Sequence, residues 1–241
     1  MVMAQDSVDK LSPYNYEDSM TIVFLAGVHG VGKTTVATEL ASQLYKQGID
    51  SYYLPERNYE PTGMIAHTPE FQVWYEREME FRVGSIKGLI SPATIHRPQV
   101  LIIDRTATDV ECYTLFEHFA NLESVARVAH NLVMELREIA DGFDNNPNYN
   151  VNILCYNVTR PLNDVMKSLA KRMEIQEFRK DWNETDEQNW VMIRTMFFNV
   201  WNRARTLLAT LQDERIEIVT LNNKDITLSV EEIMFDLEGI V

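Results

Sequence analysis

The chain has 241 residues, 45% of them hydrophobic, enough to bury the core of one α/β domain or two small ones. Its 22 Lys and Arg stand against 36 Asp and Glu, a net charge of −14, which argues against a protein whose main task is gripping a nucleic-acid polymer. No apolar run reaches the about 18–20 residues that span a bilayer, and Cys112 and Cys155 lack metal-ligand spacing and read as small buried hydrophobes, in keeping with a reducing cytoplasm.

Residues 1–19 carry Asp6, Asp9, Glu17 and Asp18 with no continuous apolar stretch, so they read as a loose polar leader ahead of a single domain over residues 20–241. Met20 to Ala26 is a short buried strand. It runs into Gly27-Val28-His29-Gly30-Val31-Gly32-Lys33-Thr34, a G-x-x-x-x-G-K-T pattern, and then into a helix over Thr35 to Gln47 with Val36, Leu40 and Leu44 on one stripe. Glycines let the backbone curl so that successive N–H groups face an anion, and the helix that follows adds its positive end. Lys33 reaches the outer phosphates of a nucleoside triphosphate, and the Thr34 hydroxyl suits magnesium, which prefers hard oxygen ligands. The cofactors expected are therefore ATP and Mg2+, held by residues Gly27 to Thr35.

Gly48 ends the helix, and Asp50 to Pro55 forms a second strand with Glu56 and Arg57 just beyond it. A strand, loop, helix, strand unit builds a parallel sheet, and ligands gather outside the carboxyl ends of its strands. Phe71 to Ile90 reads as a helix carrying Trp74, Tyr75, Phe81 and Arg82. Val100 to Ile103 is a third strand that ends in Asp104-Arg105-Thr106. A carboxylate there can orient magnesium or its water shell, and the arginine can neutralise charge on a phosphate in transfer. An ordinary ion pair at a strand end is the competing reading.

Ala107 to Ala120 and Leu122 to Asp141 are helical by pattern, the second with a core stripe of Leu122, Val125, Ala129, Leu132, Leu136 and Ile139. Val151 to Val158 is a fourth strand. Leu162, Met166, Leu169 and Met173 then make one apolar stripe, which leaves Lys167, Lys171 and Arg172 off that face and Arg179 and Lys180 beyond it. A lid over about residues 170–186 that closes cations on phosphates would account for this cluster, and a solvated helix face is the alternative. Glu187 to Leu211 is a long helix with Trp190, Ile193, Phe197, Val200, Ala204, Leu208 and Leu211 on one side. Arg215 to Leu221 is a fifth strand, Asn222 to Asp225 a loop, and Ser229 is the expected cap of a last helix.

With Lys33, Glu56, Arg82 and Asp104-Arg105 in place, the chain resembles the thymidylate kinase and deoxynucleoside kinase superfamily from about Thr21 to the C-terminus. Gly27 to Thr34, Asp104-Arg105-Thr106 with Tyr113, and Leu89-Ile90-Ser91-Pro92-Ala93 carry the resemblance most clearly. It implies a three-layer α/β/α fold with a five-stranded parallel sheet of order 2-3-1-4-5 and a helical lid. It implies transfer of the γ-phosphoryl group of ATP to a nucleoside monophosphate or deoxynucleoside. Glu56 matches the carboxylate that takes the proton from an attacking hydroxyl or organises the acceptor. Arg82 matches a helix arginine facing the acceptor nucleotide. Arg105 matches the arginine touching the acceptor phosphate or the catalytic carboxylate, and Arg172 and Arg179 are the lid candidates. His29 stands where thymidylate kinases usually have Asp, and Glu78 where they have an aromatic, so thymidylate itself is not specified. A kinase for another small hydroxyl metabolite and a regulatory ATP-binding module are the rival readings, and a homodimer is compatible with any of them.

Overall fold

A computed structural model describes residues 19–56, 73, 77, 81, 84–89, 98–106, 108–114, 122–142, 150–175 and 187–238. Strands β1 (Ser19–Ala26), β2 (Ser51–Leu54), β3 (Val100–Asp104), β4 (Asn150–Thr159) and β5 (Ile216–Asn222) form one parallel sheet in the order β2-β3-β1-β4-β5. Met20 to Ala26 and Val100 to Ile103 are buried on both faces, which is why they read as near-continuous apolar runs, broken only by Thr21, and not as alternating ones. The expected sheet order is the observed one.

Helices α1 (Lys33–Lys46), α2 (Thr108–Thr114), α3 (Leu122–Asp141), α4 (Leu162–Ile175), α5 (Glu187–Leu211) and α6 (Ile226–Glu238) surround the sheet, and residues 84–89 are also helical. The helix α1 packs on β1, β2 and β3 and against α6, while α3 packs on α5, β4 and β5, giving the three-layer α/β/α arrangement. It ends as its sequence dictates: Gly48 takes φ 76°, which glycine adopts without Cβ strain, and the Ile49 N–H reaches back to Leu44 O at 3.0 Å. Because β1 has β3 on one side and β4 on the other, its carboxyl end is the switch point of the sheet. A crevice opens there by topology alone.

Several expectations need correction. Ser229 does not cap the last helix. Asp225 lies just ahead of Ile226, and its Oδ1 accepts from Thr227 N at 2.8 Å and Leu228 N at 3.2 Å, so Ser229 is drawn inside the helix and buried. Leu122 and Leu211 are exposed, both at the extreme ends of their helices where no neighbour among the described residues covers them, while the rest of each stripe is buried or packs against the core. Both cysteines are buried and free, and burial pushes both thiols well above their ordinary range. The expected leader, the residues around Ser91 and most of the proposed lid lie outside the described residues. No helix among the described residues is long and apolar enough to cross a membrane.

Candidate functional site

Three glycines shape the turn between β1 and α1, at φ 124° for Gly27, 80° for Gly30 and 95° for Gly32, values that L side chains rarely adopt. Gly27 passes so close to β4 that a Cβ there would stand 2.5 Å from Val158 O. At Gly32 a Cβ would meet Asn223 Nδ2 at 2.6 Å. The first turn of α1 contains no acidic residue and no side chain caps it, so its leading N–H groups stay available to an anion. Lys33 is buried and folds back over the loop, where its Nζ donates to Gly27 O at 2.8 Å and Val28 O at 3.1 Å.

On the neighbouring strand, Asp104 is the last residue of β3 and is fully buried. Thr34 Oγ1 donates to its Oδ2 at 2.7 Å, and the Tyr53 hydroxyl from β2 lies 3.4 Å from the same atom. A hydroxyl and a carboxylate, both hard oxygen donors, thus meet at the loop mouth, a donor set that fits magnesium. Arg105 leaves the strand at φ 79°, an uncommon left-handed value for a non-glycine and a strain on the order of 1 kcal/mol. Its N–H still bonds to Leu25 O at 2.9 Å, so the strained turn is pinned to β1. The guanidinium lies between two partners, with Nε 2.9 Å from Glu56 Oε1 and Nη2 2.5 Å from His29 Nδ1. The same Nη2 lies 3.3 Å from His29 Nε2, and since arginine can only donate, the ring nitrogen that receives it does so as an acceptor. His29 therefore turns its ring toward Arg105, the acceptor-side arginine of the resemblance.

An adenylylsulphate kinase family model matches residues 19–59, the span of β1, the loop, α1 and β2. With the 2-3-1-4-5 sheet and this loop, that settles the architecture. The chain has a three-layer α/β/α fold with a phosphate-binding P-loop after its first strand. Solved structures with similar folds include thymidylate kinase from Candida albicans, at 17% identity over 91% of this chain and 92% of that one with a TM-score of 0.45. Deoxyadenosine kinase from M. mycoides, solved with bound dATP, aligns at 16% identity over 90% and 99% with a TM-score of 0.45. Thymidylate kinase from Ehrlichia chaffeensis aligns at 15% over 91% and 98% with a TM-score of 0.40. No curated protein sequence matches the chain.

Of the residues expected at the site of this P-loop fold, His29, Lys33, Thr34, Glu56, Asp104 and Arg105 come together. Thr35 is exposed on the first turn of α1. Val28 and Val31 are buried, so their side chains pack and only their peptide groups face the loop. Arg172 lies near the C-terminal end of α4, whereas Arg82 and Arg179 lie outside the described residues.

Asp109 went unnoticed in the sequence, although it falls one turn beyond Arg105 and shares a helix face with buried Cys112. It is only 1% exposed, and neither carboxyl oxygen has a hydrogen-bond partner among the described residues. Burial lifts its carboxyl from 3.8 to about 7, against the pull of Lys33 and Arg105. Burial and then Arg105 lower Lys33 from 10.5 to about 8, so nucleotide phosphates, which favour the ammonium form, should draw a proton onto it at mildly alkaline pH.

The raised Asp109 value makes a signed prediction. The folded state holds this proton more tightly than the unfolded chain, so the stability that this one group contributes is fully present below about pH 4 and is lost as pH rises to about 7. Asp109→Asn removes that loss. Relative to the parent protein, the variant should gain on the order of 3 kcal/mol between pH 4 and pH 8, read from denaturant unfolding at both values. Parallel pH profiles for the two proteins would refute it.

Proposed function

We propose that this protein transfers the γ-phosphoryl group of magnesium ATP to a nucleoside monophosphate or deoxynucleoside. The observation that carries the reading is the continuity of the two half-sites. Lys33 and the glycine loop lead through the Thr34–Asp104 hydrogen bond directly to Arg105, which is clamped by Glu56 and His29.

The loop N–H groups and the start of α1 hold the triphosphate, and Lys33 leaves the Gly27 and Val28 carbonyls to neutralise its outer phosphates. Thr34 and Asp104 would hold magnesium, which when bound screens charge on the phosphates. Arg105 stabilises charge on the acceptor side, and its ion pair with Glu56 orients that carboxylate. For a hydroxyl acceptor Glu56 takes the proton as the new P–O bond forms and the bond from the γ-phosphorus to the β-phosphate oxygen breaks to release ADP; for an acceptor phosphate, already anionic, Arg105 matters more. Lid closure by the basic cluster, with Arg172 and Arg179 as its cations and Arg82 facing the acceptor, belongs to the same proposal. The adenylylsulphate kinase match ends before Asp104, so it bears on the ATP half-site and leaves the acceptor open.

The test is ADP release with magnesium ATP across a panel of nucleosides, deoxynucleosides and their monophosphates. At least one should stimulate release well above background, and none doing so would sink the nucleotide-acceptor reading in favour of another hydroxyl metabolite or a regulatory module. Arg105→Ala should then cut kcat/KM for the acceptor by about 100-fold while changing ATP affinity by less than about threefold. Unchanged acceptor kinetics would remove Arg105 from its role.

A further inference from the structure

The loop between β5 and α6 reaches back across the molecule to the phosphate loop through one side chain. Asn223 is 2% exposed, and its Nδ2 donates to Val31 O at 2.7 Å, a contact between residues 192 positions apart. Two further contacts hold Asn223 in place. Its own N–H donates to Thr159 O at the end of β4 at 2.8 Å, and its Oδ1 lies 3.1 Å from the Ser229 hydroxyl, whose one proton is shared with Asp225 O at 2.9 Å. The amide orientation is decided by Val31 O, which can only accept, so the NH2 group must face the loop. The missing Cβ of Gly32 is what makes room, since any side chain there would meet Nδ2.

We propose that Asn223 is a positioning residue for nucleotide binding, acting through the Val31–Gly32 peptide. This deepens the ATP-binding half of the function proposed above and rests on it. In a trans peptide the C=O and N–H point in opposite directions. Anchoring Val31 O on Asn223 therefore turns the Gly32 N–H away from the β5–α6 loop, toward the side on which a polyphosphate is cradled. The strap fixes that donor before ligand arrives, so the loop spends no binding free energy on ordering it. Lys224 and Asp225, the charged neighbours, are not needed for this, and an amide serves where a carboxylate would repel both the Val31 carbonyl and the phosphates.

The experiment is calorimetry with a non-hydrolysable magnesium ATP analogue, paired with thermal melts in the absence of nucleotide and with KM for whichever acceptor the panel identifies. Asn223→Ala should weaken analogue binding about 10-fold, and Asn223→Asp by more, with acceptor KM unchanged. Ser229→Ala keeps the amide donor and should stay within about twofold. If Asn223→Ala does not fold, the near-isosteric Asn223→Asp carries the test alone. Analogue binding within twofold of the parent protein, with only the melting temperature lowered, would reduce Asn223 to an ordinary structural tie. A parent protein that binds no analogue would overturn the ATP-binding reading and this inference with it, an outcome distinct from intact binding in both proteins.

Discussion

Lys33→Ala is expected to lower kcat by about 1,000-fold, the scale seen when a preorganised charge facing the transferring group is lost. The residue is buried, donates to two loop carbonyls and carries the one cation built into the loop itself. Removing it leaves the Gly27 and Val28 carbonyls without that donor and takes away neutralisation where charge develops. Thermal stability should change little in comparison, since burial of the unliganded ammonium is itself unfavourable, as its lowered pKa of about 8 attests. Single-turnover kinetics with the best acceptor provide the check. A variant within tenfold of the parent rate would mean that the lysine does not face the transferred phosphoryl group.

Gly27→Ala should be the most damaging single change to the fold around the site. The new Cβ would lie 2.5 Å from a backbone oxygen of β4, at φ 124°, and neither the strand nor the turn can yield without disturbing the β1–β4 pairing that runs from Ser19↔Asn150 to Ala26↔Asn157. A stability loss on the order of 4 kcal/mol is expected from overpacking and backbone strain together. Denaturant unfolding measures it directly, and nucleotide affinity should fall in parallel because the loop leaves β1 at this residue. A midpoint equal to that of the parent protein would show that the turn has another accessible geometry.

The phosphate loop was legible because its glycine spacing dictates backbone conformation locally, whatever the rest of the chain does. Asp104-Arg105 was legible for a related reason: charge following an unbroken apolar run marks the carboxyl end of a buried strand, and topology sends such ends to the crevice. The sheet order came from the resemblance, which the geometry matches. Local pattern failed where two good candidates compete, as at Asp225 and Ser229, either of which can cap a helix. It also failed where the role depends on distant neighbours. Asn223 looks like a turn residue until Val31 is placed beside it, and Asp109 looks like an ordinary first-turn acid until the helix buries it. His29 is the mixed case, since its position in the loop was plain but its engagement with Arg105 rests on a contact across 76 residues.

The most direct test follows ATP phosphorus by NMR in a mixture of the protein, magnesium and a pool of nucleosides and their monophosphates. The account predicts that the γ-phosphate signal is replaced by those of ADP and of a new phosphate ester or anhydride on one member of the pool. ATP left intact, or converted only to ADP and free orthophosphate, would contradict it.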